Sequence, residues 1–455
     1  MDQQNVIICG AGIAGISTAY HLAVRHGLKD VLLVDERPPM SLTSDKSTEC
    51  YRNWWPGPDD AMVKLMNRSI DLLENLAQST GNAFHLNQRG YLYLTGEEGK
   101  IPSMLKSARE ISSLGAGSLR IYKDNETQIP YSPAEPEIFQ HSPGGADLIL
   151  NQDQLFNHFP YITEKAVAAL HIRRAGWFSA QQLGRILLEQ AKHHGVQLIQ
   201  NRITSIEIRR GRVESVQLEN CDRIQTQHFV NAAGPFINQV VENLDIHLPT
   251  YCELHQKVSI PDRLKAVPRE APLLIWDDPQ KLPWTEAERE FLAEDKNARW
   301  LLDEFPPGVH TRPEGPEDSP IILMLWEYHT ERVDPIWPPP LDKDYPEIAL
   351  RGLATMIPQL TRYFKKPPRP FLDGGYYTKT RENRPLIGPL PIDGSWIIGA
   401  LSGFGLMSAL AAGELLAFHI LGKSLPAYAP AFELSRYNEP QYLDMISEWE
   451  DSGQL

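Results

Sequence analysis

This 455-residue chain has few cysteines and no run of basic residues. Its four cysteines lie far apart without CxxC spacing, which argues against a zinc knuckle or a disulfide framework and fits a reducing compartment. We therefore expect a cytoplasmic protein without a bound metal. Asp and Glu (58) outnumber Lys and Arg (44), and the net charge of −14 argues against nucleic acid or anionic lipid as a partner.

The chain also lacks the usual marks of a signal peptide or a membrane span. Residues 6–8 lead directly into glycines, with no basic segment before them and no small-residue cleavage site. Residues 396–421 are long enough to cross a bilayer but carry Gly403, Glu414 and His419. We expect a strand, a glycine turn and a helix there, and no transmembrane segment.

The length, with 42% apolar residues, is enough for about two to three domains with sizeable cores. Residues 5–36 show the pattern of a strand, a helix over 13–26 ended by Gly27, and a second strand. A second α/β signal covers residues 176–234, and glycine-rich strand and helix patterns return over 374–421.

The stretch between these α/β signals differs in composition. Over residues 241–371 prolines, charges and tryptophans increase, which indicates a separate layer inserted into the first fold. Strands are predicted over residues 273–276 and 321–330, and an exposed loop is predicted over the proline-rich residues 306–320.

Three glycines follow the first predicted strand and open the first predicted helix. In GAGIAG, Gly10 permits a tight turn, Gly12 lets the backbone approach a pyrophosphate, and Gly15 lets the helix pack on the strand. Asp35 closes the second strand where a carboxylate would accept ribose hydroxyls, whereas Glu36 points to the opposite face and is the weaker candidate. The context predicts a dinucleotide site, with an ordinary glycine turn as the alternative.

Two further glycine motifs bear on which dinucleotide is bound. They are NAAG at residues 231–234 and ALSGFG at residues 400–405. The second precedes an Ala-rich helix predicted over 408–421, whose positive end could hold an electron-rich pyrimidine ring. Simple close packing of that helix on the sheet is the alternative. These additional elements favour FAD over NAD.

These motifs together resemble a known family. GAGIAG with VLLVD, AGWFSAQQLGRILLEQAKHHGV, VNAAGPF, GGYYTKTRENRPLIGPLP and WIIGALSGFGLMSALAAGELLA are similar to the glycine/sarcosine oxidase branch of the D-amino-acid oxidase (DAO) superfamily. The resemblance implies an α/β fold with a Rossmann-like FAD-binding domain of the GR2 type, formed by residues 1–85, 150–240 and 372–455. It also implies an inserted α+β substrate-binding domain, residues 86–149 and 241–371, built on a mixed or antiparallel sheet.

The resemblance further implies which residues form the sites. It assigns Arg52 in STECYRNWW to the substrate carboxylate, and Tyr377 in GGYYTKT and His329 in EYHT to the active site. With the two-residue period of a strand, Glu327 shares a face with His329, and we include it with the catalytic residues. The implied cofactor-binding residues are Gly10, Gly12, Ile13, Ala14, Gly15, Asp35, Glu36, Ser47, Thr48, Ile203, Ala233, Gly234, Ser402, Gly403, Phe404, Gly405, Leu406 and Met407.

Each catalytic assignment has a structural alternative. Arg52 could be a surface arginine stacked on a neighbouring tryptophan, Trp54 or Trp55, and Tyr377 could be a core residue. A histidine in an aromatic strand, such as His329, is more often structural than catalytic.

Departures from the family pattern bear on the flavin. Gly375 stands where sarcosine oxidase-like members carry a flavin-tethering cysteine, so we expect noncovalent FAD, with a link at Cys50 left open. Leu325 stands where the family's oxygen-activating lysine would fall, which favours a dehydrogenase over an oxidase. A lysine elsewhere, such as Lys257, could restore that charge. The acceptor, whether O2, a quinone or an electron-transfer protein, stays open.

Other departures bear on the substrate. Met407 replaces the family's second carboxylate-binding cation, and Glu327 stands where the family has glycine, which favours a substrate with an extra amine or cationic end. Alternatively, Glu327 pairs with a local arginine such as Arg332.

The predicted function is oxidation of the C–N bond of an amine or amino acid by hydride transfer to flavin N5, giving an imine that hydrolyses. The substrate would resemble sarcosine, glycine or a D-amino acid, or be a bulkier basic amine. The amine must bind neutral, and His329 or Tyr377 could accept its proton. The alternatives are a flavin-dependent 2-hydroxy-acid or glycerol-phosphate dehydrogenase and a catalytically inactive flavoprotein assembly factor.

Overall fold

The computed structural model describes residues 3–123, 130–135, 139, 143–447 and 449. Its strands are β1 (Gln3–Cys9), β2 (Val31–Asp35), β3 (Cys50–Arg52), β4 (Tyr91–Thr95), β5 (Leu119–Tyr122), β6 (Ala146–Ile149), β7 (Ala168–Ile172), β8 (Ala175–Trp177), β9 (Gln197–Gln200), β10 (Ile203–Arg209), β11 (Arg212–Leu218), β12 (Arg223–Asn231), β13 (Tyr251–Pro261), β14 (Leu273–Trp276), β15 (Gln280–Lys281), β16 (Glu304–Phe305), β17 (Val309–Pro313), β18 (Ile321–Leu325), β19 (Arg332–Val333), β20 (Phe371–Lys379), β21 (Leu386–Pro389) and β22 (Ser395–Gly399). Its α-helices are α1 (Ile13–Tyr20), α2 (Ala61–Ser79), α3 (Ile101–Ile111), α4 (Gln152–His158), α5 (Ala180–His193), α6 (Ile237–Val241), α7 (Glu286–Glu294), α8 (Tyr345–Met356), α9 (Gly405–Ile420) and α10 (Pro440–Ser447).

The first sheet has a parallel centre. Its order is β10-β11-β12-β1-β2-β9, with β22 also paired to β12 and β21 to β22. Strands β12, β1, β2 and β9 run parallel, and the fully buried residues of the central strands β1 and β2 are aliphatic. Helix α1 packs beside α5 and α9, which covers one face of this sheet. Ligands of such sheets bind beyond the carboxyl ends of the strands, where the glycine turn lies.

The second sheet is mostly antiparallel. Its order is β19-β13-β18-β17-β14-β4-β7-β6-β5, and β20 pairs along the length of β13. Helix α8 packs on this sheet closely enough that a Cβ at Gly352 would lie 2.3 Å from the Trp326 ring. Strand β13 pairs with both β18 and β20. Residues that lie 200 or more positions after the glycine turn in the sequence therefore come together in one wall of the molecule.

The two sheets divide the chain differently from the predicted domain boundaries. Strand β7 lies in the second sheet, although the predicted cofactor domain resumed at residue 150. Strand β20 begins at Phe371 and also lies in the second sheet, although that domain was predicted to resume at residue 372. Strand pairing over long sequence separations decides these memberships, and composition does not report it.

Two element predictions in the inserted segment were wrong. Residues 306–320 do not form an exposed loop throughout, because β17 is a fully buried strand between β14 and β18. The prolines and charged residues on either side of β17 had indicated a loop, so the sequence did not predict this strand. The strand predicted over 321–330 ends at Leu325, so the alternation of side chains does not continue to residue 329.

The apolar tail helix is a core element. Among the described residues, one helical stretch, Ser402–Ile420, is long and apolar enough to cross a membrane, and 78% of its most apolar window is buried inside the protein. It contacts α1 so closely that a Cβ at Gly413 would lie 2.4 Å from Ser17 Oγ. Burial against α1 and α2 explains its apolar composition.

Candidate active site

A cavity of about 860 Å³ extends from the glycine turn to the start of α9. Its volume lies in the upper part of the range, about 300–1,000 Å³, that ligand and cofactor pockets occupy. Of the predicted cofactor residues, those that line it are Gly10, Gly12, Ile13, Ala14, Asp35, Glu36, Ser47, Ile203, Ala233, Gly234, Ser402, Gly403, Gly405 and Leu406. Thr48, Phe404 and Met407 line an adjoining smaller cavity instead.

The glycine turn requires glycine at two of its positions for steric reasons. Gly10 has φ +113°, and a Cβ there would lie 2.3 Å from the Ala232 carbonyl oxygen. Gly15 does not line the cavity; a Cβ there would lie 2.0 Å from the Gly10 carbonyl oxygen. Gly15 therefore allows α1 to pack against the turn, as the pattern predicted.

Two helix N-termini face this cavity. The N-cap residues of α1 and α9 make no side-chain hydrogen bond to their helices, although Ser44 Oγ accepts the first N–H of α1, that of Ile13, at 3.0 Å. Uncapped N–H groups and the positive end of the helix dipole attract anionic groups. At the α9 end, Ala400 (φ +51°) and Ser402 (φ +44°) adopt the left-handed conformation, which is typical of constrained functional turns.

Two acidic residues lie where β2 ends. The Asp35 carboxylate accepts the Ala11 N–H at 2.7 Å and the Arg37 N–H at 2.9 Å, which fixes it beside the glycine turn. Burial raises the pKa of Asp35, and these two bonds oppose that rise. Glu36 also lines the cavity but is more exposed, and it pairs with Arg37 at 3.3 Å. A dinucleotide fits this set: phosphates at α1, a ribose at Asp35 and a ring system toward α9.

The smaller cavity, about 40 Å³, joins the large one at Tyr377 and Gly403, which line both. Its polar side chains come from five separate parts of the chain. Its walls are otherwise aromatic or aliphatic. Its lining consists of Thr48, Cys50, Arg52, Trp55, Tyr91, Leu273, His310, Leu325, Glu327, Tyr377, Gly403, Phe404 and Met407.

Arg52 is held in the small cavity by aromatic neighbours. It is 4% exposed, its guanidinium lies 4.9 Å from the centre of the Trp55 ring, and Nη1 donates to the Tyr93 hydroxyl at 2.6 Å. The stacking that we considered as an alternative therefore occurs, on Trp55, but it occurs at the cavity wall and orients the guanidinium there.

Glu327 begins a buried chain of charged groups. Its carboxylate lies 3.3 Å from His255 Nδ1, His255 Nε2 lies 3.0 Å from Glu253, and Lys379 donates to Glu253 at 3.0 Å. Burial raises the pKa of Glu327, but the charge and hydrogen bond of His255 outweigh it and lower the pKa to about 2. Glu327 is thus an ionised carboxylate. Arg332, the partner considered from the sequence, stacks over the Tyr251 ring.

His310 is a site residue that the sequence did not indicate. It is 2% exposed, lies on β17 and lines the small cavity. Its Nδ1 is 2.8 Å from the Gly308 carbonyl oxygen, an acceptor only, so Nδ1 carries the hydrogen and Nε2 keeps its lone pair. Two-residue alternation within VHTRP was the available signal, but the segment had been predicted as a loop.

His329 lies outside the lining of both cavities. After Leu325 the chain leaves the sheet, and the His329 side chain is 42% exposed, 3.7 Å from Asp342 and close to the Tyr328 ring. The structure brings Arg52, Glu327 and Tyr377 together and leaves His329 out. The resemblance of EYHT to the family motif implied that His329 lies in the active site. In the structure the strand ends four residues before His329, at Leu325, and the side chain lies outside both cavities.

Lys257 lies directly opposite Leu325 in the β13–β18 pair. Its ammonium donates to the Asp45 carbonyl at 2.7 Å and the Ser47 carbonyl at 3.1 Å, at the edge of the large cavity. Burial lowers its pKa, although nearby carboxylates oppose this. Gly375 faces the same loop, where a Cβ would lie 3.0 Å from Lys46 Cβ.

Comparison with known proteins agrees with this architecture. The chain is 23% identical over 452 residues to the mitochondrial dimethylglycine dehydrogenase of Rattus norvegicus, covering 96% of this chain and 45% of that protein. It thus spans about half the length of that relative.

Solved structures share the fold at low identity. The L-proline dehydrogenase of P. horikoshii matches with a TM-score of 0.72 at 18% identity, covering 96% of this chain and 98% of that one. Glycine oxidase from Geobacillus kaustophilus matches with a TM-score of 0.71 at 15% identity, covering 96% and 99%. A family model described as DAO, FAD dependent oxidoreductase, matches residues 5–419. The chain, with its glycine turn, its two-sheet architecture and its adjoining cavities, therefore belongs to the DAO family of FAD-dependent oxidoreductases.

Proposed function

We propose that this protein oxidises the C–N bond of a small amino acid or amine, with FAD in the large cavity and the substrate in the small one. One observation carries the proposal: a guanidinium, Arg52, and an ionised carboxylate, Glu327, line one small cavity that meets the cofactor cavity at Tyr377 and Gly403. Opposite charges in one enclosed space suit a zwitterion, because each charge of the substrate finds its complement.

The residues toward FAD are those of the large cavity. The glycine turn and the N-terminus of α1 would hold the pyrophosphate, Asp35 a ribose, and the N-terminus of α9 the pyrimidine edge of the ring. Bound FAD would supply the two-electron acceptor for a C–H bond next to nitrogen. We propose that it is bound noncovalently, because Gly375 has no side chain and Cys50 Sγ lies in the small cavity, 3.3 Å from the Thr48 carbonyl.

The protein's own residues bind and orient the substrate. Arg52 would hold a carboxylate through its planar fork, and stacking on Trp55 limits the positions that the fork can take. Glu327 would attract the ammonium. Leu325, Phe404 and Met407 line the same cavity with apolar surface, which would exclude water from the reacting carbon.

The cavity dimensions bear on the class of substrate. A volume of about 40 Å³ accommodates only about three to four water molecules, at about 10–15 Å³ each. We therefore favour a small zwitterion, and a bulkier basic amine would have to extend into the large cavity. Dimethylglycine dehydrogenase, L-proline dehydrogenase and glycine oxidase are all named for small amino acids.

We further propose a dehydrogenase rather than an oxidase. Leu325 is apolar, and the Lys257 ammonium is engaged by two carbonyl oxygens, which reduces its availability to stabilise reduced oxygen. A reducing, cytoplasmic location is part of the proposal, supported by four unpaired cysteines.

An anaerobic reduction screen tests the proposed function. The FAD-reconstituted protein is mixed without oxygen with glycine, sarcosine, proline, basic N-alkyl amino acids, lactate and glycerol phosphate. Bleaching by amino acids and not by lactate or glycerol phosphate is expected. Bleaching by the hydroxy compounds alone, or by nothing, would overturn the proposal in favour of a hydroxy-acid or glycerol-phosphate dehydrogenase or an inactive flavoprotein.

The same samples test the remaining parts. Admitting air should restore the yellow colour slowly, and rapid reoxidation would contradict a dehydrogenase. Acid precipitation should release all flavin into the supernatant, whereas flavin retained in the pellet would indicate a covalent link.

A further inference from the structure

The small cavity contains several titratable side chains besides Arg52, and they differ in whether they can accept a proton. Glu327 forms an ion pair with His255, and its pKa of about 2 keeps it ionised and makes it a weak base. Burial raises the pKa of the Tyr377 and Tyr91 hydroxyls and of the Cys50 thiol, so these groups stay protonated. These protonated groups therefore cannot take a proton from the substrate at neutral pH.

His310 differs from all of these groups. Burial lowers its pKa, so its ring is neutral, and the Nδ1 hydrogen is directed to the Gly308 carbonyl. The Nε2 lone pair is the part of the ring left to meet the cavity that His310 lines. Its position is rigid because β17 is paired on both sides, with Ile275 on β14 and Leu325 on β18 opposite His310.

The charges around His310 suit a proton acceptor. Glu327, beyond the end of β18, stabilises an imidazolium at this position. Arg52, on β3, and Arg312, two residues along the same strand, destabilise it. The Arg312 charge is partly offset by Glu314, which it contacts. The net pKa of His310 stays below 6.5, so the ring is neutral before substrate binds, and Glu327 is the charge that stabilises the imidazolium formed when Nε2 takes a proton.

We propose that His310 is the catalytic residue that takes the ammonium proton of the bound substrate through Nε2. This inference rests on the proposed function. In the step, the substrate N–H bond breaks, an Nε2–H bond forms, and the electron pair of the broken bond stays on nitrogen as the lone pair. Bound FAD, the oxidant of this family, would supply the two-electron acceptor for the α C–H bond of the neutral amine. Glu327 serves as counterion to the imidazolium.

The role predicts a particular pH signature in the holoenzyme. Wild type takes the protonated amine at neutral pH, so its rate of anaerobic flavin reduction should change little between pH 7 and 9. His310→Gln lacks the acceptor and must take the small fraction of neutral amine from solution, so its rate should be lower than that of wild type at pH 7 and rise about tenfold per pH unit toward the amine pKa. His193→Gln, an exposed histidine on α5, should behave as wild type.

A binding experiment separates this proposal from the proposed function. 2-Aminoisobutyrate has an ammonium and a carboxylate but no hydrogen on its α-carbon, so it can bind without being oxidised. The measurement is the NMR spectrum of holoenzyme labelled with 15N in its histidine rings. The Nε2 signal of His310 is the one that is missing in the His310→Gln spectrum. Adding 2-aminoisobutyrate should shift that signal to the frequency of a protonated ring nitrogen.

The outcomes are distinct. If 2-aminoisobutyrate binds and that signal stays unprotonated, or if the loss in His310→Gln is the same at every pH, His310 is not the acceptor. If wild-type flavin is not reduced by any amine and the compound does not bind, the proposed function fails, and the role of His310 with it.

Discussion

The His255 imidazole stacks on the phenol ring of Tyr377, with ring centres 3.9 Å apart and planes inclined by 13°. Strands β13 and β20 bring them together, because His255 lies opposite Gly375 and Tyr377 is its diagonal neighbour. Tyr377 forms the wall between the two cavities, while His255 behind it pairs with Glu327. One buried ring thus supports both the wall and the carboxylate of the candidate site.

Replacing His255 by Gln should change stability in a pH-dependent way. Burial lowers the pKa of His255, but Glu327 and Glu253 outweigh it and raise the pKa above 6.5. A raised folded-state pKa stabilises the protein fully below the unfolded pKa, and that contribution disappears as pH rises through the folded-state value. In wild type, the urea unfolding free energy should therefore decline above pH 6.5.

In His255→Gln that decline should be absent, and the unfolding free energy at pH 6 should be lower by about 3 kcal/mol, since a buried ion pair loses one partner. His193→Gln is the matched control. An unchanged slope in His255→Gln would show that the ring is not protonated in the fold.

Replacing Arg52 by Gln should impair substrates that carry a carboxylate. Losing charged hydrogen bonds of about 1.5–3 kcal/mol corresponds to a fall in kcat/KM of about 10- to 150-fold. Arg52→Lys should recover only part, because an ammonium lacks the planar fork. Steady-state kinetics with an amino acid and with its decarboxylated amine distinguishes the loss of a carboxylate contact from a general loss of activity. Equal losses for both would contradict a carboxylate contact.

Replacing Gly10 by Ala should abolish flavin binding. The new Cβ would lie 2.3 Å from the Ala232 carbonyl oxygen, at a residue with φ +113°. The turn cannot keep its shape under that overlap. Gly211→Ala is the control, because it also has positive φ but no atom within 4 Å, so it should lower stability by about 1 kcal/mol and leave flavin content unchanged. The ratio of flavin to protein absorbance checks both.

Replacing His329 by Gln should leave flavin reduction within about twofold of wild type, since surface substitutions cost about 0.5 kcal/mol or less. The side chain lies outside both cavities and pairs only loosely with Asp342. Stopped-flow reduction under anaerobic conditions is the measurement. A large loss would restore the role that the sequence motif implied.

The cofactor side of the protein could be predicted from the sequence because its parts are close along the chain. The strand, glycine turn, helix and acidic residue occupy positions 3 to 36, and each has a local steric or electrostatic reason to be what it is. The helix over 13–26 was predicted as one piece and ends as a π-helical turn, His21–Arg25, before Gly27.

The substrate side was predictable only in part, because its wall is assembled by strand pairing across the inserted segment. Arg52 and Tyr377 were identified by motif and Glu327 by strand alternation, whereas His310 and His255 were not identified. Short strands such as β17 carry too few residues for a clear period, and prolines beside them suggest a loop.

The sequence by itself determined the dinucleotide turn, the family and two charged residues, Arg52 and Glu327, that line the small cavity. Only the tertiary structure decided that His310 faces the small cavity and His329 does not. The reason is that a strand's length and register set the direction of each side chain, and these depend on partners far away in the chain.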